Sequence, residues 1–167
     1  RRTMRAVGER VVSSEDGHVR VIGVVQDVTH EIAATQALWR AAHLDGLTGI
    51  ANRAAFRTHL EAVVDRASSR GGRASLLLLD LDGFKEINDT CGHHVGDRVL
   101  IAVAERLRQL CNRDMFLARL GGDEFAIIFD ESDDADTAER VAARITTAIR
   151  KPIRIGNDRH YVTTTIG

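Results

Sequence analysis

Residues 119–125 read Arg-Leu-Gly-Gly-Asp-Glu-Phe, and the fold is read outward from this stretch. Gly121 and Gly122 separate two apolar runs, Phe116-Leu117-Ala118 and Phe125-Ala126-Ile127-Ile128-Phe129. That pattern predicts a β-hairpin whose turn requires residues tolerant of positive φ. Two carboxylates, Asp123 and Glu124, follow the glycines at once, Asp123 as the expected first residue of the second hairpin strand. A glycine turn with acids at its tip suits a phosphate-bearing ligand held through a metal ion.

Upstream of the hairpin, residues 74–81 give the strongest strand. Leu76 to Leu79 are apolar at every position, which predicts a central strand covered on both faces. It ends in Asp80-Leu81-Asp82, followed by an expected loop over 82–89. A helix is predicted over 95–110 on the stripe Val95, Val99, Val103, Leu107 and Leu110. After the hairpin, a helix over 134–150 places Ala138, Val141, Ile145 and Ile149 inward, and strands follow near 153–155 and 160–166. The order is β-α-β-β-α-β, an α+β class of ferredoxin-like outline. Ahead of this unit, a helix from Arg53 to Ser69 carries Phe56, Leu60, Val63 and Ala67 on one face and stops at Gly71-Gly72.

The first 28 residues differ in character. Residues 3–12 and 18–27 read as two strands joined by a turn at Ser13–Gly17, with Thr29 as the N-cap of a helix from His30 to His43. Val28, Ile32, Thr35, Trp39 and Ala42 form a short heptad-like stripe on it. Two readings stay open: a helix packed on its own domain, or a dimeric connector.

The chain has 167 residues, 44% of them apolar and 28% charged, enough to bury a core and too apolar for disorder. The net charge is −1 with interspersed signs, so neither nucleic acid nor a membrane surface is an expected partner. No apolar run is long enough to span a bilayer. Cys91 and Cys111 give no disulfide framework and no zinc spacing, which fits a reducing, cytoplasmic setting. Both ends read as cut, so the chain is expected to be part of a longer protein.

Three groups of residues carry chemistry. Asp80 alone reads as a strand end in solvent; paired across the sheet with Asp123, it reads as a ligand for Mg²⁺ or Mn²⁺, because close carboxylates need a neutralising cation. Gly83 frees the backbone, so nearby amides could face phosphate oxygens, and Lys85 could balance a triphosphate, though most lysines are surface solvated. Asn88 and Asp97 flank Cys91–Gly96. A carboxylate can accept from both guanine donors, and an amide can donate and accept. The plainer reading makes Asp97 a helix cap. His93 is a weak ligand-contact candidate beside them.

These blocks resemble the diguanylate cyclase family, named for its Gly-Gly-Asp-Glu-Phe signature. Asp45-Gly46-Leu47-Thr48-Gly49-Ile50-Ala51-Asn52-Arg53 looks like its opening block, Asp80 to Asp89 its first-strand block, and Gly92 to Asp97 the next. The resemblance covers 45–167. It implies a palm-type nucleotidyl cyclase sheet that joins two GTP into cyclic di-GMP and releases pyrophosphate. It implies Mg²⁺ or Mn²⁺ held by Asp80, Asp123 and the carbonyl of Leu81, with Asp123 or Glu124 helping to remove the 3′-hydroxyl proton. Asn88, Asp97 and His93 would meet guanine. Lys85, Gly83, Phe84 and the turn glycines Gly121 and Gly122 would meet the rest of the nucleotide. Two domains face to face would be needed. The family continues past its last strand here, with further basic residues that bind the triphosphate, so this stretch alone is expected to be weak or inactive. Many members carry Arg-x-x-Asp before the signature as an inhibitory site; the positions in register are Asn112 and Met115, with Arg113-Asp114 offset, so tight product inhibition there is not expected. Residues 1–28 look like the end of a PAS sensor domain, closed by Asp27-Val28-Thr29, with 29–44 as a signalling helix.

Overall fold

The computed structural model describes residues 2–12, 19–70, 73–131 and 137–167. The turn expected at Ser13–Gly17, the stop at Gly71-Gly72 and the start of the 134–150 helix lie outside the described residues. The chain divides into two compact units, Arg1–Arg40 and Ala41–Gly167.

In the first unit, β1 (Met4–Val12) pairs antiparallel with β2 (Val19–Asp27), and α1 (Thr29–His43) begins there. The Asp27 carboxylate, not Thr29, caps this helix by accepting from the Thr29 amide at 3.0 Å. The Thr29 hydroxyl instead accepts from the Thr3 amide at 2.8 Å. Val28 is buried, and it precedes the helix rather than belonging to its stripe.

The second unit is built on one antiparallel sheet of order β4-β5-β3-β8, with β3 at Arg73–Asp82, β4 at Met115–Gly121, β5 at Glu124–Glu131 and β8 at Thr163–Ile166. This is the strand order of a ferredoxin-like sheet, and it meets the predicted α+β class. Around it lie α2 (Arg53–Arg70), α3 (Phe84–Cys91), α4 (His93–Leu110) and α5 (Thr137–Ile149). The single strand expected over 160–166 is two: β7 (Asp158–His160) forms a small hairpin with β6 (Ile153–Ile155), and β8 returns to the main sheet.

The core lies between α4, α5 and one face of the sheet. Val99, Val103 and Leu107 of α4, Ile145 and Ile149 of α5, and Phe125 and Ile127 of β5 are all almost fully buried. Each such side chain contributes roughly 1.5–3 kcal/mol on removal from water. Alternation sends Ala126 and Ile128 to the opposite face, where they and Ala118 are buried and α2 packs mainly on β4. The expectation that β3 is covered on both faces fails. Leu77, Leu79 and Leu81 are buried, but Leu76 is 38% and Leu78 46% exposed. The α2 helix lies over β4 and leaves this side of β3 open, and Asp80 and Asp82 share that open face by alternation.

The loop expected over 82–89 is a turn at Gly83 followed by α3. Gly83 sits at φ 75°, and the eight-residue helix then buries Phe84.

Candidate functional site

The signature hairpin turns on two glycines at positive φ, Gly121 at 143° and Gly122 at 52°, with a register shift between Arg119 and Gly121. A side chain at either would strain the backbone, so the predicted turn chemistry holds. The second strand begins one residue later than expected. Glu124 opens β5 and faces Asp80 across the ladder, while Asp123 stays in the turn.

Two arginines that the sequence reading passed over hold this turn. Arg119, nearly buried, donates through Nε and Nη2 to the Gly122 carbonyl at 3.0 and 2.7 Å. Its Nη1 reaches Asp45 Oδ1 at 3.0 Å. That same oxygen accepts from the Thr48 amide at 2.9 Å and the Thr48 hydroxyl at 2.5 Å. Burial pushes the Asp45 carboxyl up, but the Thr48 hydroxyl and amide and the Arg119 guanidinium outweigh it and hold it below its ordinary value. Arg53, at the start of α2, donates to the Leu120 carbonyl at 2.8 Å and meets Glu124 at 3.5 Å. The signal available was the pairing of the Asp45–Arg53 block with Arg119, 74 residues beyond Asp45, which sequence separation conceals.

Asp80 lies among carboxylates. Its carboxyl is raised above the usual range by desolvation first, then by the negative charges of Asp123, Asp82 and Glu124. Asp80 and Asp123 are thus brought together. Asp82 is committed elsewhere: the Thr163 and Thr165 hydroxyls donate to it at 2.7 and 2.8 Å and lower its pKa. The Leu81 side chain is buried in the core, so only its backbone could meet a cation. Among the described residues no three His, Cys, Asp or Glu side chains form a complete metal cluster. The hard oxygen pair, repelling and unneutralised, fits Mg²⁺ or Mn²⁺, ions that keep waters and take other ligands from phosphate. Beside it, Leu78, Asp80, Leu120, Glu124, Phe125, Thr165 and Gly167 line an open cleft of about 260 Å³.

The remaining candidates lie beyond the end of β3. Gly83 and Phe84 form the N-terminal end of α3, which has no side-chain cap, with Lys85 exposed in its first turn. Asn88 is on α3 and half-buried. Asp97 is the fifth residue of α4, whose N-cap is Gly92, so it is not a cap. Asn88 and Gly96, the neighbour of Asp97, are in close approach between α3 and α4. His93 opens α4 and is exposed.

This sheet order, with acids at the rim shared by a central strand and a Gly-Gly hairpin, is that of a nucleotidyl cyclase palm. The model of the "Diguanylate cyclase, GGDEF domain" family matches residues 42–167, and the chain belongs to that family. Diguanylate cyclase DgcN of Escherichia coli is 40% identical over 134 residues, 80% of this chain and 32% of that protein. Signaling protein YkoW of Bacillus subtilis is 37% identical over 145 residues, 86% of this chain and 18% of that protein. The chain thus spans under a third of the length of these relatives. Among solved structures, the GGDEF domain of TpbB from Pseudomonas aeruginosa is 37% identical, with a TM-score of 0.71, over 75% of this chain and 73% of that one. The coiled coil and GGDEF domain of DgcB from Caulobacter crescentus, in complex with c-di-GMP, is 30% identical, with a TM-score of 0.76, over 84% of this chain and 75% of that one.

Proposed function

We propose that the chain carries a diguanylate cyclase, converting two GTP into cyclic di-GMP and two pyrophosphates. The observation that carries this reading is the carboxylate cluster at the rim of the open cleft, where Asp80 and Glu124 face each other across the ladder and desolvation, then the charges of Asp123, Asp82 and Glu124, raise the Asp80 carboxyl. Such a cluster, next to a glycine turn and an uncapped helix N-terminus, suits a cation–triphosphate ligand. Asp80, Asp123 and the Leu81 carbonyl would hold Mg²⁺ or Mn²⁺. Bound there, the ion would supply charge stabilisation for in-line displacement at phosphorus. The chain's own groups do the rest. Asp123, or Glu124, accepts the proton of the attacking ribose 3′-hydroxyl. Its oxygen bonds to the α-phosphorus of the other GTP, and pyrophosphate leaves. The amides of Gly83 and Phe84, the charge of Lys85, and the turn at Gly121-Gly122 seat the phosphates. Asn88 and Asp97, with His93 nearby, receive guanine.

One domain seats one GTP, so the reaction requires a homodimer. Supporting this, α1 has no buried residue and exposes Leu38 and Trp39. We assign residues 1–28 to the end of a PAS sensor, 29–44 to a signalling helix and 45–167 to the cyclase domain, working in the cytoplasm. No helix among the described residues is long and apolar enough to cross a membrane.

A second reading has one observation in its favour: a relative 38% identical over 130 residues is named cyclic di-GMP phosphodiesterase PdeB, of Shewanella oneidensis. In that reading the domain binds GTP and regulates another output domain. Incubating the full-length protein with GTP and Mg²⁺ separates the two. Cyclic di-GMP is expected, and Asp123→Ala should reduce it below detection while the circular dichroism spectrum is unchanged. GTP binding without product would support the regulatory reading; an active Asp123→Ala would refute the metal assignment.

A further inference from the structure

Among the described residues, Gly96 is the one buried helical glycine whose missing side chain is filled by another residue. A Cβ built there would overlap Asn88 Oδ1 and lie 2.9 Å from Asn88 Cγ and 3.2 Å from Phe84 Cζ. The backbone itself gives no reason for glycine, since Gly96 is not among the positive-φ residues. In the interior of α4, alanine would be the better helix former. What the glycine provides is room for the Asn88 amide against α4.

Among the described residues the Asn88 side chain makes no hydrogen bond or ion pair that would orient it; outside the ladder of α3 its backbone carbonyl accepts from the Gly92 amide at 2.9 Å. The amide is therefore held by contact with the Gly96 backbone, with its hydrogen-bonding capacity left for a ligand. Asp97, one residue along α4, carries the other proposed base contact.

We propose that Gly96 is a positioning residue for base recognition: the seat it leaves against α4 fixes the Asn88 amide in place beside Asp97. This rests on the reading of Asn88 as a guanine contact. An added methyl at 96 meets the end of a short side chain rather than backbone, so the amide turns away and the helices stay. Phe84 must give by a few tenths of an ångström to admit it.

The test is a double-mutant cycle on affinity for 3′-deoxy-GTP, which lacks the attacking hydroxyl, measured in Mg²⁺ on the full-length protein. Gly96→Ala should weaken binding about tenfold, the effect of one lost hydrogen bond that leaves a base donor or acceptor unmet. Asn88→Ala should weaken it similarly. Gly96→Ala added to Asn88→Ala should cost nothing further, because the residue it displaces is gone. The melting temperature of Gly96→Ala should equal or exceed that of the parent. A tenfold loss that persists in the Asn88→Ala background would make Gly96 a packing residue and overturn the proposal. So would full affinity in Gly96→Ala when Asn88→Ala binds weakly. Full affinity in Asn88→Ala would instead remove the guanine reading of Asn88 beneath it.

Discussion

Asp80 is the residue at which the electrostatics of the site can be measured without substrate. Desolvation and the charges of Asp123, Asp82 and Glu124 disfavour its ionised form. A carboxyl whose folded pKa lies above its unfolded value, about 3.9, costs stability when ionised. That cost is present in full above the folded pKa and is relieved as pH falls through it. Asp80→Asn should therefore raise the melting temperature of the metal-free protein at neutral pH. The gain should stay below about 3 °C, because charge interactions at a solvated site are worth at most ~1 kcal/mol. Mg²⁺ reverses the sign: it should stabilise the parent protein and leave the Asn variant unmoved. Thermal melts in chelator and in millimolar Mg²⁺ read both arms, and equal stabilisation of the two proteins by Mg²⁺ would remove Asp80 from the metal site.

The elements show where sequence pattern is a sufficient guide. The α4 stripe was legible because eighteen residues repeat one period, and Val99, Val103 and Leu107 are buried as predicted. The hairpin turn was legible because two adjacent glycines between apolar runs have few other uses. The α3 helix was not, since eight residues with only Phe84 and Ile87 as apolar spacing are too few for a period to show. The open side of β3 was not legible either: a run of four leucines is the same whether a helix lies over both faces or one. The latch on the signature turn joins Asp45 to Arg119 across 74 residues, a contact no local pattern contains. Its energetics can be tested. Arg119→Ala removes both donors from the Gly122 carbonyl and the cation from a partly buried Asp45, and should cost about 1–3 kcal/mol at pH 7 in denaturant melts. Arg119→Lys should recover only part of this, having no fork to span two acceptors. Because the Asp45 pKa is lowered in the fold, its contribution is present above the unfolded value and is lost as pH falls below about 4. The cost of Arg119→Ala should shrink in that window, and a cost independent of pH would mean that the arginine acts through Gly122 alone. Asn112, in the turn before β4, accepts from the Asp114 amide at 3.1 Å. With neutral Asn112 in the register of the expected arginine and Met115 in that of the expected acid, product should inhibit weakly; complete inhibition by micromolar cyclic di-GMP that survives substitution elsewhere would contradict this.

At the scale of the whole molecule the proposed reaction sets a requirement that one copy cannot meet. Forming a ring from two GTP takes two 3′-hydroxyl attacks on two α-phosphates, and the seat we propose at Gly121-Gly122, Asp80 and Asp123 takes one GTP. Each copy must therefore meet another, and the rate per domain should rise with protein concentration until dimers saturate. The α1 helix is where we expect that meeting to be governed, because none of its residues is buried and it exposes Leu38 at 73% and Trp39 at 55%. Large apolar side chains exposed to water carry a cost that packing against a partner helix removes. Trp39→Glu places a charge at that position and should shift the full-length protein toward monomer in sedimentation equilibrium. It should lower the rate of cyclic di-GMP formation at low protein concentration, with the loss recovered as concentration rises. Affinity for a single 3′-deoxy-GTP should be unchanged, since each seat lies within one copy. If the rate per domain is independent of concentration over the range in which Trp39→Glu dissociates, the two nucleotides do not come from two such copies, and the dimer requirement falls with it.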